Sequence, residues 1–266
     1  MTIDTVTFDV WNTLVVHEFY DDRLKTHRMK SIRDALRSRG IPCTCEEIRI
    51  AYDYTEESLT KIWQTERDLS NDGHLALLLE GMGLDPDDDT MEIIREPYSC
   101  ALLDFRPKLV DGAADLINTL KDQGYKLGLI SNTGRTPGRT MREVLSEYGL
   151  AGCFTTMTFS DEVGHIKPGR QIYDRALKSL GSAPEKTVHI GDNPLLDVYG
   201  AKACGWKAIL FTKYMASFEK YASKYYNANG RTAEPDYTVE TLGQIVDALA
   251  ALDNSSLEIN AGDPEN

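Results

Sequence analysis

One stretch near the start constrains this chain more than any other: Val6-Thr7-Phe8-Asp9-Val10-Trp11-Asn12-Thr13-Leu14. The β-branched and aromatic run from Val6 to Phe8 reads as a buried strand. Asp9 then places a carboxylate at the C-terminal end of that strand, where open α/β sheets bind their ligands. A carboxylate there serves as a metal ligand or a nucleophile. Taken alone, it reads equally well as the cap of a helix or turn.

Three later stretches break the tie. They are Leu129-Ile130-Ser131-Asn132-Thr133, Gly164-His165-Ile166-Lys167-Pro168, and Val188-His189-Ile190-Gly191-Asp192-Asn193 with Asp197. The first and third each follow an apolar strand and end in polar groups. Together they supply a hydroxyl, an ammonium and a second acidic pair to set beside Asp9. In this order the four stretches resemble the haloacid dehalogenase-like hydrolase superfamily, from about Val6 to Phe211.

The rest of the chain agrees with such a fold. Helical spacing predicts helices over Asp21–Arg39, Glu46–Trp63, His74–Met82 and Met91–Leu103, with Pro97 kinking or breaking the last. The βα alternation then resumes. Asp111 is expected to cap a helix to Lys121. Strands are expected over Tyr125–Ile130, Thr155–Phe159, Thr187–Ile190 and Lys207–Phe211, and helices over Arg139–Tyr148, Arg170–Leu180 and Leu195–Cys204. This predicts an α/β fold with a doubly wound, mostly parallel, Rossmann-like sheet. The resemblance implies that the early helical insert is a cap domain over the site. The expected division is a core of residues 1–15 and 106–252, a cap of 16–105 and a disordered tail of 253–266. Lys213–Glu234 reads as an irregular insertion, with a helix over Ala216–Tyr225, then a strand at Asp236–Val239 and a helix over Glu240–Leu252.

Composition narrows the partners. The 266 residues carry a net charge of -13, which argues against nucleic acid or an anionic membrane as the main partner. A small anionic substrate stays open, because a local lysine or Mg²⁺ reverses the field inside a pocket. The five cysteines are odd in number and irregularly spaced, so they read as free thiols. No apolar run reaches membrane-spanning length, and no leader is visible before the first strand. A cytoplasmic monomer or homodimer is expected.

The resemblance implies roles. Asp9 is the nucleophile. Mg²⁺ is held by Asp9, the Trp11 carbonyl and Asp192. Lys167, Ser131 and the Asn132 backbone N–H bind the phosphoryl oxygens. Thr13 orients Asp9 or a turn and lies at the substrate, while Asn193 and Asp197 support the metal site from behind. Asn12 suits a left-handed turn. His165 and His189 read as structural.

Trp11 is the departure. Phosphatases of this superfamily carry an aspartate two residues after the nucleophile, which protonates the leaving oxygen. Indole exchanges no proton near neutral pH, and general acid–base catalysis supplies about 10²–10⁴-fold in rate. The chain is therefore slow, restricted to good leaving groups, or served by an acid from the cap. An aromatic residue here also resembles the 2-haloacid dehalogenase branch, where halide leaves without a proton. That branch lacks the acidic Gly191-Asp192 pattern, and its cap arginine has only Arg37 and Arg39 as loose matches. The expectation is a Mg²⁺-dependent phosphatase of a small phosphorylated metabolite. The alternatives are a 2-haloacid dehalogenase-type hydrolase, or a non-catalytic binding protein that keeps the fold.

Overall fold

Thr5–Phe8 form β1, and all four residues are buried. A strand with no exposed face needs cover on both sides and partners on both edges. β1 pairs in parallel with β4 (Lys126–Ser131) on one edge and β6 (Thr187–Gly191) on the other, with Phe8 opposite Leu129 and Ile190. β5 (Thr156–Phe159) lies beyond β4; β7 (Lys207–Phe211) and β8 (Tyr237–Val239) lie beyond β6. The order is β5-β4-β1-β6-β7-β8, with every pairing parallel. The chain winds outward from β1 through β4 and β5, then crosses back and winds the other way from β6. The winding therefore reverses beside β1, the position at which open α/β sheets bind their ligands.

This computed structural model describes residues 2–17, 22–214 and 229–261, with side chains through 254. Helices α5 (Ala113–Asp122), α6 (Gly138–Glu147), α8 (Arg170–Leu180) and α10 (Ile245–Ala261) flank the sheet. The short α7 (Ser160–Val163) and α9 (Gly200–Ala203) complete the set. No helix among the described residues is long and apolar enough to cross a membrane.

The early insert folds into α1 (Asp22–Ser38), α2 (Cys45–Trp63), α3 (Asn71–Gly81) and α4 (Asp88–Ser99). Their inner stripes build a separate apolar cluster that includes Ile32, Leu36, Ile48, Leu75, Leu78 and Ile94. Thr44 and Glu47 close the start of α2 with a reciprocal capping box. An antiparallel ribbon of β2 (Val15–Val16) and β3 (Lys108–Leu109) ties the exit from β1 to the return of the chain. Two-residue strands are too short to show alternation, so the sequence does not announce them.

Several expectations shift. α3 begins at Asn71 rather than His74, because Ser70 caps it by accepting the Gly73 N–H. α4 ends two residues after Pro97, and a 3₁₀ turn follows at Ala101–Asp104. Asp111 does not cap α5. Gly112, at φ 83°, occupies that position, and Asp111 pairs with Lys213 at the surface. The helix expected over Leu195–Cys204 begins as a π-helical turn, Pro194–Tyr199. The change to an unstructured tail at Asp253 is not seen, since α10 continues to Ala261. The expected helix over Ala216–Tyr225 lies outside the described residues.

Candidate active site

Because β4, β1 and β6 are neighbours, their C-terminal ends bring Ser131, Asp9 and Asp192 to one edge. Asp9 follows β1, and its N–H donates to the Ile190 carbonyl at 2.9 Å. Val10 turns the chain at once by accepting N–H groups from Leu14 and Val15. Asn12, at φ 56°, takes the left-handed step that this turn needs, as its residue type suggests. Its amide donates to Asp192 Oδ2 at 3.1 Å.

Lys167 joins the carboxylates. Its Nζ lies 2.8 Å from Asp9 Oδ1 and 2.6 Å from Asp197 Oδ1, and only 1% of the residue is exposed. Asp197 Oδ1 also takes His189 Nε2 at 3.1 Å, and its Oδ2 takes the Asn193 N–H at 2.9 Å. The Asp197 carboxylate passes so close to β6 that a Cβ on Gly191 would lie 2.2 Å from its Cγ. Only glycine fits there. His189, buried between Thr7 and Asp197, orients the acid from behind.

The charges do not balance. Oxygens of Asp9, Asp192 and Asp197 all lie within 4.8 Å of one another, against one lysine. Burial, then the charges of Asp197 and Asp9, push the Asp192 carboxyl well above the ordinary range. Burial also raises Asp9, although Lys167 pulls against it. For Asp197 burial raises, but Lys167 and then His189 more than offset it and hold the carboxyl far below the usual range. Burial would lower Lys167, yet Asp197 and Asp9 outweigh it and keep the ammonium charged. Burial lowers His189 below its ordinary value. An oxygen-only set with this excess of negative charge suits a hard divalent cation. Asp197 is committed to Lys167, His189 and Asn193, which leaves Asp9 and Asp192 as the better ligands.

The remaining predicted residues fall as follows. The Ser131 hydroxyl is buried with no hydrogen-bond partner among the described residues. The Thr13 hydroxyl is likewise buried without a partner among the described residues, Asp9 included. The Asn132 side chain grips Lys167, accepting its N–H at 2.8 Å and donating to its carbonyl at 3.1 Å. The Asn193 side chain caps the π-helical turn by accepting from Leu195 and Leu196. Trp11 is half-buried against the main core, with its ring 6.5 Å from that of His17.

Sequence reasoning missed the cap's contribution. Arg37 and Arg39 are exposed at the end of α1. The buried arginine of that helix is Arg28, which donates to the Tyr98 carbonyl, the Tyr52 hydroxyl and, at 3.4 Å, Thr136 of the core. Arg28 shares a stripe with Ile32 and Leu36 at i, i+4 and i+8, and that spacing was the available signal. From the core, Arg135 stacks 4.3 Å over the Tyr52 ring and reaches Glu56 at 3.2 Å.

A doubly wound sheet carrying this aspartate–lysine–aspartate cluster defines a hydrolase-type site of the α/β class. The chain belongs to the haloacid dehalogenase-like hydrolases, whose family model matches residues 3–205. A stretch of 103 residues is 37% identical to a glyceraldehyde 3-phosphate phosphatase of Methanothermobacter thermautotrophicus, covering 38% of this chain and 43% of that protein. The chain spans about half the length of several curated relatives it matches. Among solved structures, a phosphatase of this superfamily from Thermococcus onnurineus is 25% identical, with a TM-score of 0.55 over 93% of this chain and 98% of that one. A 2-haloacid dehalogenase from Pseudomonas syringae is similar in fold, with a TM-score of 0.62, 21% identity and coverage of 94% and 99%.

Proposed function

We propose that this protein is a Mg²⁺-dependent phosphatase that forms an aspartyl-phosphate on Asp9. The observation that carries the reading is the buried excess of carboxylate beside Lys167 at the sheet's reversal point. In this reading Asp9, the Trp11 carbonyl and Asp192 hold the ion, with Asn193 and Asp197 behind them. When bound, Mg²⁺ offsets the charge of the carboxylates and of an anionic substrate. Lys167 orients the phosphoryl oxygens and keeps Asp9 ionised. Ser131 and the Asn132 backbone N–H donate to the same oxygens, and Thr13 lines the substrate's approach. An Asp9 oxygen attacks phosphorus, the bond to the leaving oxygen breaks, and that oxygen departs with the electron pair. Water then cleaves the acyl phosphate and frees inorganic phosphate.

Trp11 cannot deliver the proton that an alkoxide needs, so good leaving groups are favoured. Phosphomonoesters of small metabolites are the substrate class, as the names of the phosphatase relatives suggest. Nucleic acid and membranes are not partners in this reading. The protein works in the cytoplasm as a monomer or homodimer, with a core of residues 1–15 and 106–252 and a cap of 16–105.

Trp11 also favours a second reading, 2-haloacid dehalogenation. The buried Asp192, which a metal-free reaction has no use for, weighs against it. The test measures phosphate release from p-nitrophenyl phosphate and halide release from a 2-haloacid, each with Mg²⁺ and with EDTA. Phosphate release that EDTA abolishes supports the phosphatase. Halide release that persists in EDTA, with no phosphate formed, establishes the dehalogenase.

A further inference from the structure

Lys167 is held from two sides. Asn132 grips its main chain from the core. The cap supplies the other side. Beyond α2, Glu66–Asp68 runs antiparallel to Gly164–Ile166, with Arg67 opposite His165. The Ile166 N–H donates to the Glu66 carbonyl at 3.2 Å, and the Asp68 N–H donates to the Gly164 carbonyl at 3.1 Å. The Ile166 side chain, 1% exposed, packs against Leu59 and Trp63 of α2 instead of joining the main core. Thus the residue preceding Lys167 is anchored in the cap.

Glu66 is the corner of this contact. It adopts φ 59°, a conformation unfavourable for any residue with a Cβ. Such a backbone persists only where its surroundings hold it. Its carboxylate pairs with Arg231. The segments lie so close that a Cβ on Gly169 would sit 3.1 Å from Glu66 Cβ and 2.9 Å from the Ile166 oxygen. Asp68 steadies the far end by accepting from Trp63 Nε1 at 2.8 Å and the Leu69 N–H at 2.9 Å.

We propose that Glu66 is a positioning residue: its left-handed backbone presents the carbonyl that fixes Ile166, so that seating the cap and placing the Lys167 ammonium between Asp9 and Asp197 are one event. The proposal rests on the phosphatase reading, in which Lys167 orients the phosphoryl group. A cap held away from the core would leave the Lys167 main chain gripped by Asn132 alone, with only charge to guide its ammonium to Asp9 and Asp197. Small misplacements of a catalytic group cost up to about 10²-fold in rate.

Two substitutions at one position separate this role from a general structural one. Glu66→Gly loses the carboxylate but accepts positive φ readily. Glu66→Val resists positive φ and breaks the pairing with Ile166. Turnover of p-nitrophenyl phosphate and amide exchange at Ile166 are measured for both. Glu66→Val is expected to lower kcat by about 10- to 10²-fold, with a smaller change in KM. Its Ile166 amide should exchange faster. Glu66→Gly should recover most of kcat. Equal kcat in the two variants, high or low, overturns the proposal. If Glu66→Val does not fold, Gly169→Ala presses on Glu66 and Ile166 from the other side and is read by the same two measurements. Lys167→Met keeps the two ideas apart. Activity surviving in that variant sinks the phosphatase reading. Its loss, with no response to Glu66→Val, sinks only the positioning role.

Discussion

The carboxylate cluster and the cap contact meet at one lysine, but different forces build them. On the core side, Asp9 and Asp197 hold the Lys167 ammonium by charge, from positions at strand ends. On the cap side, Ile166 is held by apolar packing against Leu59 and Trp63 and by two main-chain hydrogen bonds. Buried charge attraction acts over several ångströms, so it tolerates modest movement. Close packing and hydrogen bonds decay within an ångström or so. The carboxylates of the site therefore belong to the sheet and stay in place if the cap lifts. The register of Lys167 along its own loop depends on the cap.

The sharpest way to break that division is at Asp192, which touches no cap residue in the contacts described. Asp192→Asn keeps an acceptor for Asn12 and removes one of the mutually repelling carboxylates. The metal-free variant should melt at a higher temperature than wild type. Mg²⁺ should no longer raise its Tm, and phosphate release should fall by roughly 10²-fold or more. A Mg²⁺ response equal to that of wild type would remove Asp192 from the metal site.

A smaller effect is expected at Trp11, which packs on the core where the superfamily's acid would stand. Trp11→Asp should return up to ~10²-fold on alkyl phosphates and change p-nitrophenyl phosphate little, since that leaving group needs little protonation. Loss of the large ring also depresses both rates by opening a void. The selectivity between the two substrates is therefore the readout. A folded, Mg²⁺-binding variant with no preferential gain would show that the missing acid does not limit the rate.

The smallest effect concerns His189. Its folded value lies below the ordinary 6.5, with burial the main cause, so below that pH the unfolded chain takes up a proton that the folded one does not. The stability contributed by neutral His189 is complete above about pH 6.5 and is lost as pH falls through its folded value. His189→Gln removes that titration. The Tm gap between wild type and variant should narrow as pH drops below 6.5, and a gap independent of pH would contradict this.

The same division explains what the sequence makes legible. Asp9, Ser131, Lys167, Asp192 and Asp197 sit within a few residues of strand ends or in short polar loops, so a local pattern exposes them, and the parallel sheet gathers them. The paired strands follow from apolar runs of four to six residues. The cap's part is not local. Arg28, Tyr52, Tyr98 and Thr136 come from three helices and a core loop, and nothing in their spacing shows that they meet. Glu66 is a plain glutamate after a helix, and its positive φ becomes visible only when Gly169 and Ile166 are placed against it. The Asp111 cap failed for a related reason. Its residue type suits the role, but Gly112 alone takes the left-handed conformation required there. Thr13 was expected to orient Asp9 or a turn, and its hydroxyl lies buried with no hydrogen-bond partner among the described residues.

The central claim is that Asp9 becomes covalently phosphorylated. The direct measurement is an acid quench of the protein turning over p-nitrophenyl phosphate with Mg²⁺, followed by mass spectrometry of the peptide carrying Asp9. One added phosphoryl group is expected on that peptide, lost in EDTA and absent in Asp9→Asn, which should also lose turnover by at least about 10³-fold. Rapid Mg²⁺-dependent turnover that persists in Asp9→Asn, or a phosphoryl group found on any other residue, would contradict it.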